Sequence, residues 1–168
     1  MIRNEPYWWE AAPPSILAEK PVAGRSDVVI VGAGYTGLSA ALTLARAGRS
    51  VQIFDAMRPG EGASTRNGGI ASGSLRHSFA EHTRRFGRER AEGIDREAKE
   101  AREDLARFIA EERIDCDFRL TGRFTGASRQ SDYESLAREG ERLQKSLGIE
   151  AYAVPRSEQR SAIGTDFY

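Results

Sequence analysis

The residues with the clearest chemical potential form a glycine-rich hexapeptide near the start of the chain, Gly32-Ala33-Gly34-Tyr35-Thr36-Gly37. An apolar run, Asp27–Val31, precedes it, and a helical stretch and a second apolar run, Val51–Asp55, follow it. A bare Gly-x-Gly-x-x-Gly pattern occurs by chance, but one that follows a strand, opens a helix and ends on an acid indicates dinucleotide binding. The segment therefore predicts a phosphate-binding βαβ unit, and the alternative is an ordinary buried βαβ unit with incidental glycines.

Each glycine of the hexapeptide has a physical role in this prediction. Gly32 permits a sharp turn out of the strand, and Gly34 has no Cβ, so the main chain can approach a pyrophosphate. Gly37 lets the helix lie close to the strand, while the N-terminus of that helix offers unpaired N–H groups and a partial positive charge. At the end of the second strand, Asp55 is expected to accept hydrogen bonds from both ribose hydroxyls of an adenosine without a 2′-phosphate, with Ala56 beside it.

A second candidate binding loop follows directly, between Gly60 and Ile70. Its glycines free backbone N–H groups, and Ser64, Thr65 and Arg66 add two hydroxyls and a guanidinium. These groups suit an approach to phosphates and to a flat ring. Glycine is too frequent here for regular structure, so we expect a functional loop.

The remaining chain predicts helices and short strands around this unit. An irregular, proline-rich arm carries Trp8 and Trp9, for which packing is favoured over ligand stacking. The apolar stripe from Ile94 to Ile109 predicts one long amphipathic helix. The expected elements are a helix over 79–112, strands over 117–120 and 123–127, a helix over 131–147, a strand over 149–154 and a short helix after Pro155.

Composition excludes several classes of function. The 25 Lys and Arg residues balance the 25 Asp and Glu residues, which argues against nucleic acid as a partner, since phosphate binding needs a concentrated positive face. No apolar run has the length of a membrane span or an export signal, so a cytoplasmic location is expected. Cys116 is the only cysteine and is predicted to be a small packing residue, while His77 and His82 are predicted to be surface residues. No catalytic residue stands out, and no metal site is expected.

The two glycine-rich segments make the chain resemble the FAD-dependent oxidoreductases of the D-amino-acid oxidase and glycine oxidase family. It is especially similar to the gamma-glutamylputrescine oxidoreductase branch. That branch shares the Gly-x-Gly-Tyr-Thr-Gly turn at 32–37, the Gly-Ala-Ser-x-Arg-Asn-Gly-Gly loop at 62–69 and an Ile-Asp-Cys-Asp-Phe segment like 114–118. The resemblance extends from about Asp27 to the C-terminus.

The resemblance implies that FAD is the cofactor, with its ADP part at the first motif and its pyrophosphate and isoalloxazine along the second. It assigns to the flavin Ser64, Thr65, Arg66, Asn67, Gly68 and Gly69. Relatives that bind flavin covalently have a histidine in this loop, where this chain has Asn67, so non-covalent FAD is expected. Thr65 stands where close relatives often have glycine, and Asp55 where they often have glutamate.

The resemblance also implies the fold class, an α/β Rossmann-like FAD-binding domain that begins with a glutathione-reductase-type βαβ unit and continues into a substrate domain. We expect an N-terminal arm over 1–24, an FAD-binding portion over 25–115 and the start of a mixed substrate-domain segment over 116–168. Family members are much longer, so we expect an incomplete fold, in a fragment or a truncated product.

The implied reaction is the oxidation of a small-molecule amine or amino acid by hydride transfer to flavin N5. One alternative is a non-catalytic FAD-domain fragment, or a subunit that needs the rest of the chain or a partner. Another is an NAD-dependent dehydrogenase, which shares the first motif but has no reason to carry the second. A homo-oligomer is left open.

Overall fold

The computed structural model describes residues 4–14, 17, 20–73 and 75–167, and the chain forms two compact units, residues 1–70 and 71–168. Parts of the predicted arm, at 1–3, 15–16 and 18–19, and the last residue of the predicted substrate segment, Tyr168, lie outside the described residues. The predicted functional domain boundaries at residues 25 and 116 stay predictions.

The first unit contains the predicted βαβ arrangement. Strands β1 (Val28–Val31) and β2 (Val51–Phe54) pair in parallel, with Val28 opposite Val51. Helix α1 (Tyr35–Arg46) connects them and contacts both. The helix ends shortly before Gly48, which adopts a φ of 76° that a side chain would disfavour.

The ends of the strand pair opposite the glycine turn are joined by Asp27 and Ser50. One carboxylate oxygen of Asp27 accepts hydrogen bonds from the Ser50 N–H and hydroxyl, both at 2.8 Å. These bonds lower the pKa of the Asp27 carboxyl, with the backbone N–H of Ser50 as the larger cause. The connection aligns the two strands at their starting ends.

The two-stranded sheet is only partly covered. Val29 is 57% exposed and Val31 is 88% exposed, although parallel sheets normally bury both faces. Among the described residues of this unit, the buried apolar side chains are those of Pro6, Ala33 and Ala41. The apolar core of the first unit is therefore thin.

The second unit is helical and preserves most of the predicted order. It contains short 3-10 and α segments after Pro155, as predicted. Its α-helices are α2 (Phe79–Phe86), α3 (Arg88–Glu111), α4 (Gln130–Leu147) and α5 (Gln159–Ile163).

The prediction of one helix over residues 79–112 is wrong, because the chain breaks at Gly87 between α2 and α3. Gly87 has a φ of 84° and donates its N–H to the Thr83 carbonyl. A capping box formed by Ser78 and Glu81 starts α2 independently. The break lets α2 fold back on α3, where the side chain of Ala91 is fully buried.

Arg142 on α4 connects the three longer helices of this unit. Its guanidinium lies 2.8 Å from Asp95 on α3, 2.7 Å from Glu139 and 4.0 Å from the centre of the Phe79 ring on α2. Hydrogen bonding to Glu139 raises the pKa of Arg142 above its ordinary value. A half-buried ion pair with a stacked ring fits arginine better than lysine, because the guanidinium is planar and forked.

The strands predicted over 117–120, 123–127 and 149–154 are wrong, since these segments have no strand hydrogen bonds. A strand requires a neighbouring strand, and alternating apolar residues cannot supply one. Asp117 also departs from extended geometry with a φ of 51°. Leu120 is 73% exposed and Tyr152 is 77% exposed, so these two apolar side chains are largely open to solvent.

Two further side-chain predictions are wrong. His82 is not a surface residue, because it lies on the buried face of α2 with 7% exposure, 6.3 Å from the Phe86 ring. Cys116 is exposed and is not a packing residue.

In the described ranges, the long helices are rich in charge, and none combines the length and apolar composition needed to cross a bilayer.

Candidate functional site

The glycine turn connects the carboxyl end of β1 to the N-terminus of α1. Gly32 has a φ of 105°, which only glycine adopts readily, and its N–H donates to the Phe54 carbonyl at 2.7 Å. Gly34 is the N-cap residue of α1. The sharp turn predicted at Gly32 is confirmed.

Gly37 lies in the first turn of α1, directly against the turn that precedes it. A Cβ on Gly37 would lie 1.9 Å from the Gly32 carbonyl oxygen and 3.3 Å from a methyl group of Ile30. No side chain fits there without movement of the main chain. The packing role predicted for Gly37 is confirmed.

The N-terminus of α1 presents backbone donors at the turn. The N–H of Ala33 donates to Asp55 at 2.6 Å and the N–H of Tyr35 donates to Ser64 at 3.0 Å. Three more N–H groups of the turn have no hydrogen-bond partner among the described parts of the chain. They belong to Gly34, Thr36 and Gly37. Unpaired N–H groups at the positive end of a helix form a site that favours an anion.

Asp55 lies at the end of β2 beside the glycine turn. One of its carboxylate oxygens accepts the Ala33 N–H at 2.6 Å and the other accepts the Met57 N–H at 2.8 Å. The Ala33 bond is the largest cause that lowers the pKa of Asp55, followed by the Met57 bond, and the N–H of Ala56 adds to them. The carboxylate is therefore ionised at neutral pH, and it has more lone pairs than these N–H groups use.

The start of the second glycine-rich loop lies against the turn. The N–H of Gly60 donates to the Ala33 carbonyl at 2.9 Å, and the Thr65 hydroxyl donates to the Gly60 carbonyl at 2.6 Å. The Ser64 hydroxyl lies so close to the turn that a Cβ on Gly34 would be 2.9 Å from it. The chain thus brings together a hydroxyl, a bare glycine and the free N–H groups of α1.

The rest of this loop is exposed and is shaped by Asn67. The Asn67 side chain donates to the Ala63 and Ser64 carbonyls at 3.3 and 2.8 Å and accepts the N–H of Gly69 at 2.8 Å. Arg66 donates to the Glu61 carbonyl at 3.0 Å. Gly68 lies between these residues and is exposed. Of the residues predicted in this loop, Ser64 contacts the glycine turn directly. Residues 66–69 follow it along the same loop.

Sequence reasoning did not identify a role for Trp8 at this loop. The indole N–H of Trp8 donates to the Asn67 carbonyl at 2.9 Å. Its neighbour Trp9 packs under the Arg58 guanidinium at 4.1 Å. Paired tryptophans among prolines indicate an arm that docks, but no local pattern specifies which segment receives it.

The donors at the glycine turn fit a dinucleotide diphosphate. The bare main chain at Gly34 permits close approach, the N-terminus of α1 supplies positive potential, and the ionised Asp55 lies within the same turn.

Comparison with curated proteins identifies relatives among bacterial oxidoreductases. The chain is 38% identical over 134 residues to "Probable oxidoreductase OrdL" of Rhizobium meliloti, a match that covers 76% of this chain and 31% of that protein. It is 41% identical over 98 residues to "Gamma-glutamylputrescine oxidoreductase" of Escherichia coli, which covers 58% of this chain and 23% of that protein. A second OrdL, from Haemophilus influenzae, is 28% identical over 145 residues and is covered to 33% of its length.

The chain therefore spans about a third or less of the length of these relatives. No solved structure matches it significantly. The family model described as FAD dependent oxidoreductase matches residues 27–166. That match includes both glycine-rich segments and most of the chain, so this protein belongs to the DAO family of FAD-dependent oxidoreductases.

Proposed function

We propose that this chain is the cofactor-binding portion of an oxidoreductase that oxidises a small amine or amino acid with non-covalently bound FAD. The observation that carries the proposal is the convergence of Ser64 and Asp55 on the glycine turn, where N–H groups of α1 are free. The family is FAD dependent, which favours a flavin over the nicotinamide alternative.

Each part of the site has a proposed partner on the cofactor. The N–H groups at the start of α1 and the Ser64 hydroxyl would bind the pyrophosphate, because donors at a helix N-terminus stabilise a phosphate. The free lone pairs of Asp55 would accept the ribose hydroxyls. The segment 66–69 would lie along the flavin, and its Asn67 amide is not a nucleophile, which supports a non-covalent complex.

Bound FAD would supply the electron acceptor, taking a hydride equivalent from a substrate C–H at N5. The residues of this chain would bind and orient it. The curated relative named gamma-glutamylputrescine oxidoreductase supports an amine as the substrate class. We assign no catalytic residue, and the cytoplasmic location and the oligomeric state stay predictions.

A second candidate function is that of a cofactor-domain portion that needs more chain or a partner before it is active. The exposure of Val29 and Val31 on the sheet supports it, because parallel strands are normally buried on both faces. The chain also spans a third or less of its relatives. Both candidate functions require FAD binding. They differ in whether this chain by itself oxidises a substrate.

A visible absorption spectrum of the purified chain tests the proposal. We expect a yellow protein that releases free FAD on denaturation, as a non-covalent complex does. Loss of the visible bands when an amine is added without oxygen would support catalysis, whereas FAD binding without reduction would favour the second candidate. A colourless protein that takes up no added FAD would contradict both.

Asp55→Asn tests the proposed ribose contact. Neutralising the acceptor should weaken FAD binding about 10- to 100-fold, since a charge-assisted hydrogen bond contributes about 1.5–3 kcal/mol. Asp27→Asn is a matched control, because it removes a carboxylate with a lowered pKa from the opposite end of the same strand pair. Titration of each variant with FAD measures the effect, and equal losses in both would argue against a specific role for Asp55.

A further inference from the structure

The N-terminal arm lies on the second glycine-rich loop through a short 3-10 helix, Tyr7–Glu10. The indole N–H of Trp8 donates to the main-chain carbonyl of Asn67 at 2.9 Å. The Trp8 ring meets the Tyr7 ring edge to face at 5.3 Å between centroids. The ring therefore contacts both a neighbour on its own helix and the loop.

The same ring also lies against Gly69. A Cβ on Gly69 would be 2.6 Å from the Trp8 atom Cζ2 and 2.9 Å from Cη2, and Gly69 has a φ of 67°. The ring thus contacts the loop at Asn67 by a directional hydrogen bond and at Gly69 by close packing. Between these two points lies Gly68, whose N–H has no hydrogen-bond partner in the described parts of the chain.

We propose that Trp8 is a positioning residue for the cofactor loop, holding Asn67 and Gly69 so that the free N–H of Gly68 is fixed in direction for the bound flavin. The inference rests on the proposed function of residues 66–69. A donor held in place before the ligand arrives costs less to order when the ligand binds. Trp8 acts through the loop and is not itself assigned to contact the cofactor.

The neighbouring tryptophan, Trp9, contacts a different part of the chain. Trp9 lies under the Arg58 guanidinium at 4.1 Å, and Arg58 pairs with Glu61 at 3.1 Å. Trp9 therefore anchors the arm near the start of the second glycine-rich loop. Trp8 contacts the end of that loop, at Asn67 and Gly69. Adjacent residues of one type on one helix provide a matched pair for mutation.

The experiment compares Trp8→Phe with Trp9→Phe in the full chain. Phenylalanine keeps an aromatic ring, but it removes the indole N–H that bonds to Asn67 and the outer indole atoms that lie against Gly69. We expect Trp8→Phe to weaken FAD binding at least about threefold, because one neutral hydrogen bond is lost together with this packing, and to shift the visible absorption bands of the bound flavin. Trp9→Phe should leave the FAD affinity within about twofold of that of the unchanged chain and the absorption bands in place. Thermal unfolding of both variants is measured alongside.

Each outcome decides the inference. A Trp8→Phe variant with unchanged FAD affinity and an unchanged flavin spectrum would overturn the positioning role and leave the proposed function intact. Equal losses in the two variants would also overturn it, because arm docking in general would then be responsible. An unsubstituted chain that takes up no FAD would remove the proposed function and this inference together. A selective loss and spectral shift in Trp8→Phe, without a selective fall in unfolding temperature, would support it.

Discussion

Gly34→Val is expected to abolish FAD binding while the chain still folds. The new side chain would occupy the approach to the main chain at the start of α1, where a pyrophosphate needs bare backbone. Its Cβ would also lie 2.9 Å from the Ser64 hydroxyl, which can rotate away. We expect at least about a 100-fold loss of FAD affinity, equivalent to about 2.8 kcal/mol, in a titration followed by flavin absorption.

Two controls separate the cofactor from contacts within the protein. Gly24→Val places the same side chain in the same unit, where nothing lies within 4 Å of the new Cβ, and should leave FAD binding unchanged. Gly34→Ala combined with Ser64→Ala removes the internal contact. If the double variant binds FAD as well as Ser64→Ala alone, Gly34 is needed only to accommodate Ser64, and its proposed phosphate role is wrong.

Gly37→Ala is expected to destabilise the first unit strongly. The added methyl group would overlap the Gly32 carbonyl oxygen at 1.9 Å, and a main-chain atom cannot rotate away as a side chain can. We expect a fall of about 3 kcal/mol in the free energy of unfolding, at the upper end of typical overpacking. The gain of up to about 1 kcal/mol from the helix propensity of alanine cannot offset it. Denaturant unfolding of the variant measures the change.

Gly93→Ala is the matched control for this prediction. Gly93 is also inside a helix, but the nearest atom to its new Cβ is the end of the Arg96 side chain at 4.0 Å. The substitution should therefore raise the free energy of unfolding by about 0.5–1 kcal/mol. Opposite signs at the two glycines would confirm that close approach, not helix propensity, requires Gly37. A stability of Gly37→Ala at or above that of the original chain would contradict the close packing of α1 on the turn.

The βαβ unit and the identity of its turn could be predicted because they depend on local pattern. The glycines at 32, 34 and 37 follow a strand and open a helix, and that spacing permits few other structures. The stop of α4 at Gly148 was predictable for the same reason, since a φ of 62° strongly favours glycine. The resemblance to the FAD-dependent family followed from these residues and from the loop at 62–69, and the family match confirms it.

The wrong predictions concern features that depend on contacts between residues distant in sequence. The segments 117–120 and 123–127 alternate like strands, but they pair with no strand among the described residues and are irregular. His82 is buried because the break at Gly87 lets α2 fold back on α3. The apolar stripe of a single long helix does not predict that contact.

The sequence by itself determined the glycine turn, the acid that follows β2 and the family, because these depend on residues a short distance apart. Only the tertiary structure decided that the Ser64 hydroxyl contacts the start of α1 and that Trp8 holds the Asn67 carbonyl. Those contacts join residues 29 and 59 positions apart. No periodicity encodes such pairs, because they form only when separate segments pack together, and the free energy of that packing depends on the whole fold.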